Sequence, residues 1–431
     1  MDRKPLSFDE DFSIQGKWWL PNSKTELYGE LIYKQGEDIS LKVTGAFNGE
    51  TDLMNGSLQK YDSIYGIDAK GSSYTLINAS GYTYGRTDFF QTTISIEYVL
   101  KSLWQKHFDL EKHKIKAANF TTNFFMAFLE GKYHLLDGPY LQNNVLQIAL
   151  KETADLDILQ IESARLSFIF DYGYHTTDPL LNFHFNQDIH LKIDFGLIPK
   201  LRDVVNELKL IKDFFSIFSY TQVTFRTAYL AVENENQGQL TDSYNLLFIE
   251  RASTFGQIPK VWDVLLPFSK YEDEIKSALR NWFVNREFIT NGLNLYFDVS
   301  YYKITQPVNA FLNMVFALET LHKIYHDQSR RPTLHERLMD LIKKSYSILS
   351  SYFVDDAMFC KKIVSQRNYL AHNHGSPDSV ISYDDYPYYI YTLKMLFEIS
   401  FLKILAISDG SLQLLVKKNR TYEYYKNNPP A

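Results

Sequence analysis

The sequence predicts a two-domain α+β protein: an antiparallel β-rich N-terminal domain of sandwich or barrel-like form, then a C-terminal α-helical bundle. Three observations lead there. The 431 residues exceed what one ordinary core organises. Short alternating apolar segments, cut by polar turns, fill the first half. From about position 270, apolar residues recur at helical spacing instead. Composition agrees. Hydrophobic residues make up 45% and charged residues 22%, a globular balance, and 31 Tyr with 31 Phe suit sheet faces.

Strands are expected at 26–33, 39–47, 74–78, 93–98, 119–129, 164–170 and 190–195, with turn signals at Asn48-Gly49, Asn55-Gly56 and Lys70-Gly71. Leu201, Val204, Val205, Leu208, Ile211 and Phe214 mark a helix over 201–218, after which strand texture returns at 222–231 and 244–250. The polar stretch 253–260, with Gly256 and Pro259, reads as the linker. The β-rich domain is accordingly assigned to 1–255, the bundle to 270–415, and 416–431 to a basic, aromatic tail. Helices are expected at 271–281, 288–298, 307–326, 333–350, 355–371 and 388–407. Thr333 and Glu336 have the spacing of a capping box that opens the fourth.

Composition also narrows function. A single cysteine, Cys360, leaves no internal disulfide and no multi-cysteine zinc site. No Gly-x4-Gly-Lys-Ser/Thr loop and no dinucleotide fingerprint is present, so no ATP- or NAD-type cofactor is expected, and with one cysteine and no clustered ligands no metal is expected either. The N-terminus lacks a signal-like apolar stretch, and no apolar run approaches the roughly 20 residues that span a bilayer. A cytoplasmic, soluble protein without membrane contact is expected. The net charge of −6 is unevenly spread: 20 of the 45 basic and 17 of the 51 acidic residues lie from position 270 onward, leaving 25 against 34 before it. A polyanion would therefore meet the C-terminal part, with Lys361, Lys362, Lys417, Lys418 and Arg420 as candidate contacts.

The most chemically loaded stretch is Arg367-Asn368-Tyr369-Leu370-Ala371-His372, which ends a helical segment just before Gly375-Ser376-Pro377. RNA carries a 2′-hydroxyl beside each phosphate. Cleaving it requires removal of that proton, stabilisation of the phosphoryl oxygens and protonation of the leaving oxygen. His372 can exchange a proton near neutrality, Arg367 can hold two oxygens with a permanent charge, and Asn368 can orient either partner. Asn368 and His372 share a helix face, whereas about 140° separates Arg367 from His372 on an ideal helix. Two copies about a two-fold axis would complete such a site, so a homodimer is expected. His374 is a fallback for His372. Arg330 and His335 repeat the five-residue separation, but Pro332 and a helix start intervene.

These residues, in a helix closing on Arg-x4-His within a helical bundle, resemble the Arg-x4-6-His signature of HEPN domains, and Asn368 matches the polar residue typical after the arginine. Domain order, the Gly16-Lys-Trp-Trp-Leu-Pro21 segment and the Ala-Leu-Glu at 317–319 further resemble the ApeA-like group of that superfamily, which is associated with bacterial anti-phage defence. The resemblance implies a metal-independent, dimeric endoribonuclease that cuts host RNA, transfer RNA being one candidate, after a phage-derived trigger. It carries Arg367, Asn368 and His372 over as catalytic residues. Glu319 is not carried over, because an apolar-flanked glutamate suits a structural role.

Other candidates read as structural. Trp18 and Trp19 suit aromatic anchoring of a sheet better than a sugar platform. Asp384 and Asp385 suit a helix N-terminus, with no further ligands nearby for a metal. The competing function is a catalytically silent binding module whose β-domain recognises a phage protein or glycan. A glycosidase would have only unpaired carboxylates to work with.

Overall fold

β1 (Phe12–Trp19) pairs antiparallel with β2 (Leu27–Tyr33) on one edge and with β4 (Gln59–Asp68) on the other. In this computed structural model, which describes residues 4–48, 58–86, 89–102, 106–129, 136–142, 145–150, 154–161, 163–178, 182–219, 222–234, 241–250, 258–301, 306–325, 331–353, 355–372 and 380–428, those pairings are part of a ring. β3 (Ile39–Thr44) links β2 to β6 (Phe89–Ser102), β6 pairs with β5 (Ser73–Arg86), and β5 returns to β4. Six antiparallel strands thus close on one another as a barrel. Its interior is filled by alternating apolar residues, including Leu31, Leu41, Ile64, Leu76 and Ile94, all fully buried.

Trp18 is also fully buried, and its indole Nε1 donates to the Gly29 carbonyl at 3.1 Å. Its cross-strand partner is Gly66. A Cβ at Gly66 would lie 2.2 Å from the Trp18 ring, so this position admits no side chain while the indole occupies the barrel. Trp18 thus anchors the barrel from inside rather than at a sheet edge, and Trp19 is half-buried.

β6 serves two sheets. One edge pairs with β3 at residues 91–96 and then with β14 (Thr241–Phe248) at residues 98–102. From β14 a second antiparallel array continues through β13 (Phe225–Asn234), β7 (His113–Thr122), β12 (Asn182–Phe195), β11 (Ala164–Asp178) and β10 (Leu156–Ile161). β8 (Leu136–Gln142) and β9 (Val145–Leu150) form a separate hairpin.

Helices α1 (Phe125–Leu129) and α2 (Leu201–Ser216) belong to this second core. Phe120, Phe124, Phe125, Phe128, Phe168 and Phe215 interlock there with ring centroids 5.2–5.5 Å apart. α1 corrects the expectation of one strand over 119–129. An unbroken apolar run does not by itself distinguish strand from helix, and a helical turn brings Phe124 and Phe128 together. A buried ion pair crosses the same core: Lys212 Nζ donates to Glu250 Oε1 at 3.0 Å, and the Phe225 amide donates to Glu250 Oε2 at 3.1 Å. Burial pushes the Glu250 carboxyl upward, and Lys212 opposes that shift.

The chain divides into two compact units, Met1–Lys260 and Val261–Ala431. The second is helical. α3 (Phe268–Ser300) kinks at Tyr271 and then runs on as one helix where two were expected at 271–281 and 288–298. No proline separates them, and the Asn285 side chain donates back to the Asn281 carbonyl at 2.8 Å. α4 (Pro307–His322) follows, then α5 (Leu334–Lys344), α6 (Tyr346–Leu349), α7 (Asp356–His372) and α8 (Tyr386–Ile404). α4 packs against both α3 and α8, and α5 against α7. The expected capping box is present in both directions, Glu336 N to Thr333 Oγ1 at 3.3 Å and Thr333 N to Glu336 Oε2 at 2.7 Å.

Residues 416–428, read from sequence as part of a tail, are helical for most of their length. α9 (Asp409–Lys418) and α10 (Arg420–Asn427) are helices, and Tyr422 is buried. The cause is Glu398, a buried carboxylate on α8. Tyr296 of α3 donates to its Oε1 at 2.5 Å and Tyr422 donates to Oε2. Tyr352 also donates to Glu423 of α10. No helix among the described residues is long and apolar enough to cross a membrane.

A buried carboxylate deprived of one donor keeps its desolvation penalty with less to offset it. Tyr422→Phe should therefore lower the unfolding free energy by about 1.5–3 kcal/mol in urea titrations. An unchanged midpoint would show that α10 is not held by this contact.

Candidate active site

α7 begins on Asp355, whose side chain accepts from the Met358 amide at 2.8 Å. Phe359, Cys360, Ile363 and Gln366 then form its buried stripe at spacings of three and four residues. Three of these are apolar or thiol side chains. The fourth is a carboxamide at 1% exposure.

Gln366 uses both ends of its amide on the chain that returns after the helix. Its Oε1 accepts from the Ile381 backbone N–H at 2.7 Å, and its Nε2 donates to the Tyr386 hydroxyl at 2.7 Å. Ile381 and Tyr386 are themselves buried, and Tyr386 packs edge-on against Phe311 of α4. Burial raises the Tyr386 hydroxyl above its usual pKa, so it stays a neutral partner. One buried side chain therefore fixes the rotation of α7 and ties down the far end of the segment that follows His372.

With Gln366 turned inward, the next two residues are carried toward the surface. Arg367 and Asn368 are both half-buried. Arg367 Nη1 donates to Asn368 Oδ1 at 3.2 Å. Arg367 Nε is buried and has no hydrogen-bond partner among the described residues. A guanidinium has five N–H donors, so most of this one's capacity is not spent on Asn368. The backbone of His372 forms the last residue of α7, four positions beyond Asn368, which places the two on one helix face.

The other expected residues are more scattered. Lys361 is exposed and Lys362 half-buried, both earlier on α7. Lys417 and Lys418 end α9 and Arg420 begins α10, all three exposed. His374 and Arg330 lie outside the described residues, as does the 253–257 part of the expected linker. Glu319 contributes its backbone carbonyl, which accepts from Arg337 Nη1 at 3.1 Å. Cys360 is excluded as a nucleophile near neutral pH, because burial first and Asp356 second push its thiol up to about 12.

A family model described as Apea-like HEPN matches residues 305–411, which takes in α4 through α8 and all of Arg367–His372; a second, described as ApeA N-terminal domain 1, matches residues 13–282. The chain belongs to the ApeA family. Its layout, a β-rich N-terminal part followed by an ApeA-like HEPN bundle, is the one expected from sequence. HEPN domains are generally nucleases and typically dimerise and bind RNA, and the ApeA type is associated with anti-phage defence. No curated protein and no solved structure matches the chain.

Sequence reasoning passed over Gln366, since a glutamine on a helix reads as solvated. The signal was its register: it falls three residues after Ile363, on the stripe begun by Phe359 and Cys360. Gln366→Ala should strand a buried N–H and a buried hydroxyl, lowering stability by about 1–3 kcal/mol and accelerating hydrogen exchange at the Ile381 amide. Gln366→Glu keeps an acceptor for Ile381 and should recover part of the loss. Equal exchange in all three proteins would remove the anchoring role.

Proposed function

We propose that this ApeA-family protein is a metal-independent endoribonuclease of anti-phage defence, with Arg367, Asn368 and His372 as its catalytic residues. Arg367 holds the phosphoryl oxygens of an RNA strand and stabilises their charge in the transition state. His372 takes the 2′-hydroxyl proton or returns one to the departing 5′-oxygen. Asn368 orients the guanidinium through the hydrogen bond it already accepts.

The observation that carries this reading is the state of Arg367. Polar atoms that are buried without a partner are rare, and each calls for an explanation. Here the orphan is Arg367 Nε, on a half-buried cation whose Nη1 donates to Asn368. An anion meeting that guanidinium would satisfy it. The HEPN match over this helix supports RNA as the source of that anion.

A two-fold pair of bundles supplies two arginines and two histidines to one composite site. Coupling between neighbouring imidazoles then leaves one charged and one neutral, as acid and base require. Lys361, Lys362, His374, Lys417, Lys418 and Arg420 are proposed to guide the RNA backbone, and the substrate is host RNA, transfer RNA included. Cleavage arrests growth after a phage-derived trigger acts on the protein.

Arg367→Ala and His372→Ala should each reduce cleavage of total cellular RNA by about 100-fold or more and remove toxicity on expression. Unchanged cleavage by both variants would remove the assignment. Because the site is shared, specific activity should fall as the protein is diluted through its dimer dissociation constant. Constant activity per chain, with sedimentation showing monomers, would overturn the composite site.

A further inference from the structure

α10 runs back along α8. Its Tyr422 meets Glu398, and three residues later Tyr425 stacks on Tyr391, about two turns earlier on α8. α10 therefore points toward the end of α8 at which Tyr386 bonds to Gln366. Near that end Tyr389 stacks on Phe359 of α7 at 5.9 Å. From Tyr386 to Tyr391 the rise along α8 is only about 7.5 Å.

The face that α8 and α10 build together is aromatic, and part of it is open. Tyr391 and Tyr425 lie nearly parallel, 4.9 Å apart at 20°. Tyr424 meets Tyr425 edge-on at 5.1 Å and is 60% exposed, so at least one face of its ring is open to solvent. Tyr422 and Tyr352 donate to carboxylates, but the hydroxyls of Tyr391, Tyr424 and Tyr425 have no hydrogen-bond partner among the described residues. The crevice among Tyr352, Tyr388, Tyr391, Tyr425 and Lys426 encloses about 10 Å³, no more than one water needs. A ligand can lie on these rings but cannot enter between them.

Charge selects the ligand. Between Tyr386 and Asn428 stand Lys394, Lys403, Lys417, Lys418, Arg420 and Lys426 against Glu398, Asp409 and Glu423, six cations to three carboxylates, and residues 429–431 add no charged side chain. Lys394 pairs with Glu398 and Lys403 with Asp409, while Glu423 accepts from Tyr352. Lys417, Lys418 and Arg420 are exposed and pair with no carboxylate among the described residues. Lys426 lies over the Tyr352 ring at 4.7 Å. Asp384 and Asp385, which precede α8, bound this cationic stretch on the Tyr386 side.

We propose that Tyr424, backed by the Tyr391–Tyr425 pair, is a base-stacking subsite for single-stranded RNA whose phosphates run along Lys417, Lys418 and Arg420. Open rings beside unpaired cations suit a strand whose bases are free to stack. A protein anchor would instead need a pocket, and the crevice is closed. RNA as the ligand rests on the ribonuclease reading, to which the subsite adds a preference for unpaired over paired strands.

The test uses the full chain and 2′-O-methyl strands of about 12 nucleotides, which span a typical single-strand site and cannot be cut by 2′-oxygen attack. In fluorescence anisotropy Tyr424→Ala should weaken binding about tenfold, and Tyr424→Phe, which keeps the ring, should bind as the wild type does. On an abasic strand of the same length Tyr424→Ala and wild type should bind equally. Undiminished binding of the base-bearing strand by Tyr424→Ala would overturn the proposal and leave the rings to a protein partner. An equal loss on the abasic strand would overturn it as well. The ribonuclease reading fails separately: Tyr424-dependent binding without cleavage of unmodified RNA would remove that reading and keep the subsite.

Discussion

The candidate site depends on one buried carboxamide. A helix presents neighbouring residues about 100° apart, so fixing one side chain against the core fixes the direction of the next. Gln366 is that fixed point. Its two hydrogen bonds, to the Ile381 amide and the Tyr386 hydroxyl, satisfy both ends of its amide inside the bundle. Any rotation of α7 that turned Arg367 inward would break both bonds and bury a guanidinium. Catalytic groups need this kind of support, since small errors of position translate into large losses of rate.

A similar logic operates at the far end of the bundle. Glu398 would be an expensive residue to bury alone, yet hydroxyls from Tyr296 and Tyr422 meet it from two other helices. Lys394, one turn earlier on α8, offsets part of the cost of the buried charge, and the hydroxyls that complete it arrive only when α3 and α10 are in place. That dependence converts a basic C-terminal stretch into a docked helix and holds Lys417, Lys418 and Arg420 on an ordered surface.

The sequence made most of this legible where physics acts locally. Period-two and period-3.6 patterns separated the two parts, and the Thr333–Glu336 box was readable from spacing alone. Arg367, Asn368 and His372 stood out because charge, carboxamide and imidazole rarely fall so close before a helix stop. What escaped were features set by distant partners. The helix at Phe125–Leu129 is chosen by the phenylalanine cluster it joins, and the Gln366 anchor by residues 15 and 20 positions away. Closure of the barrel through the β5–β6 pairing likewise has no signature in any short window.

The chemistry of the cut ends tests the central idea most directly. If a guanidinium and an imidazole drive attack by the ribose 2′-hydroxyl, RNA cleaved in the presence of a chelator should carry 2′,3′-cyclic phosphate and 5′-hydroxyl ends. A single 2′-deoxy substitution at the cut position should then block cleavage. Ends bearing 5′-phosphate, or cleavage that persists at the deoxy position, would contradict it.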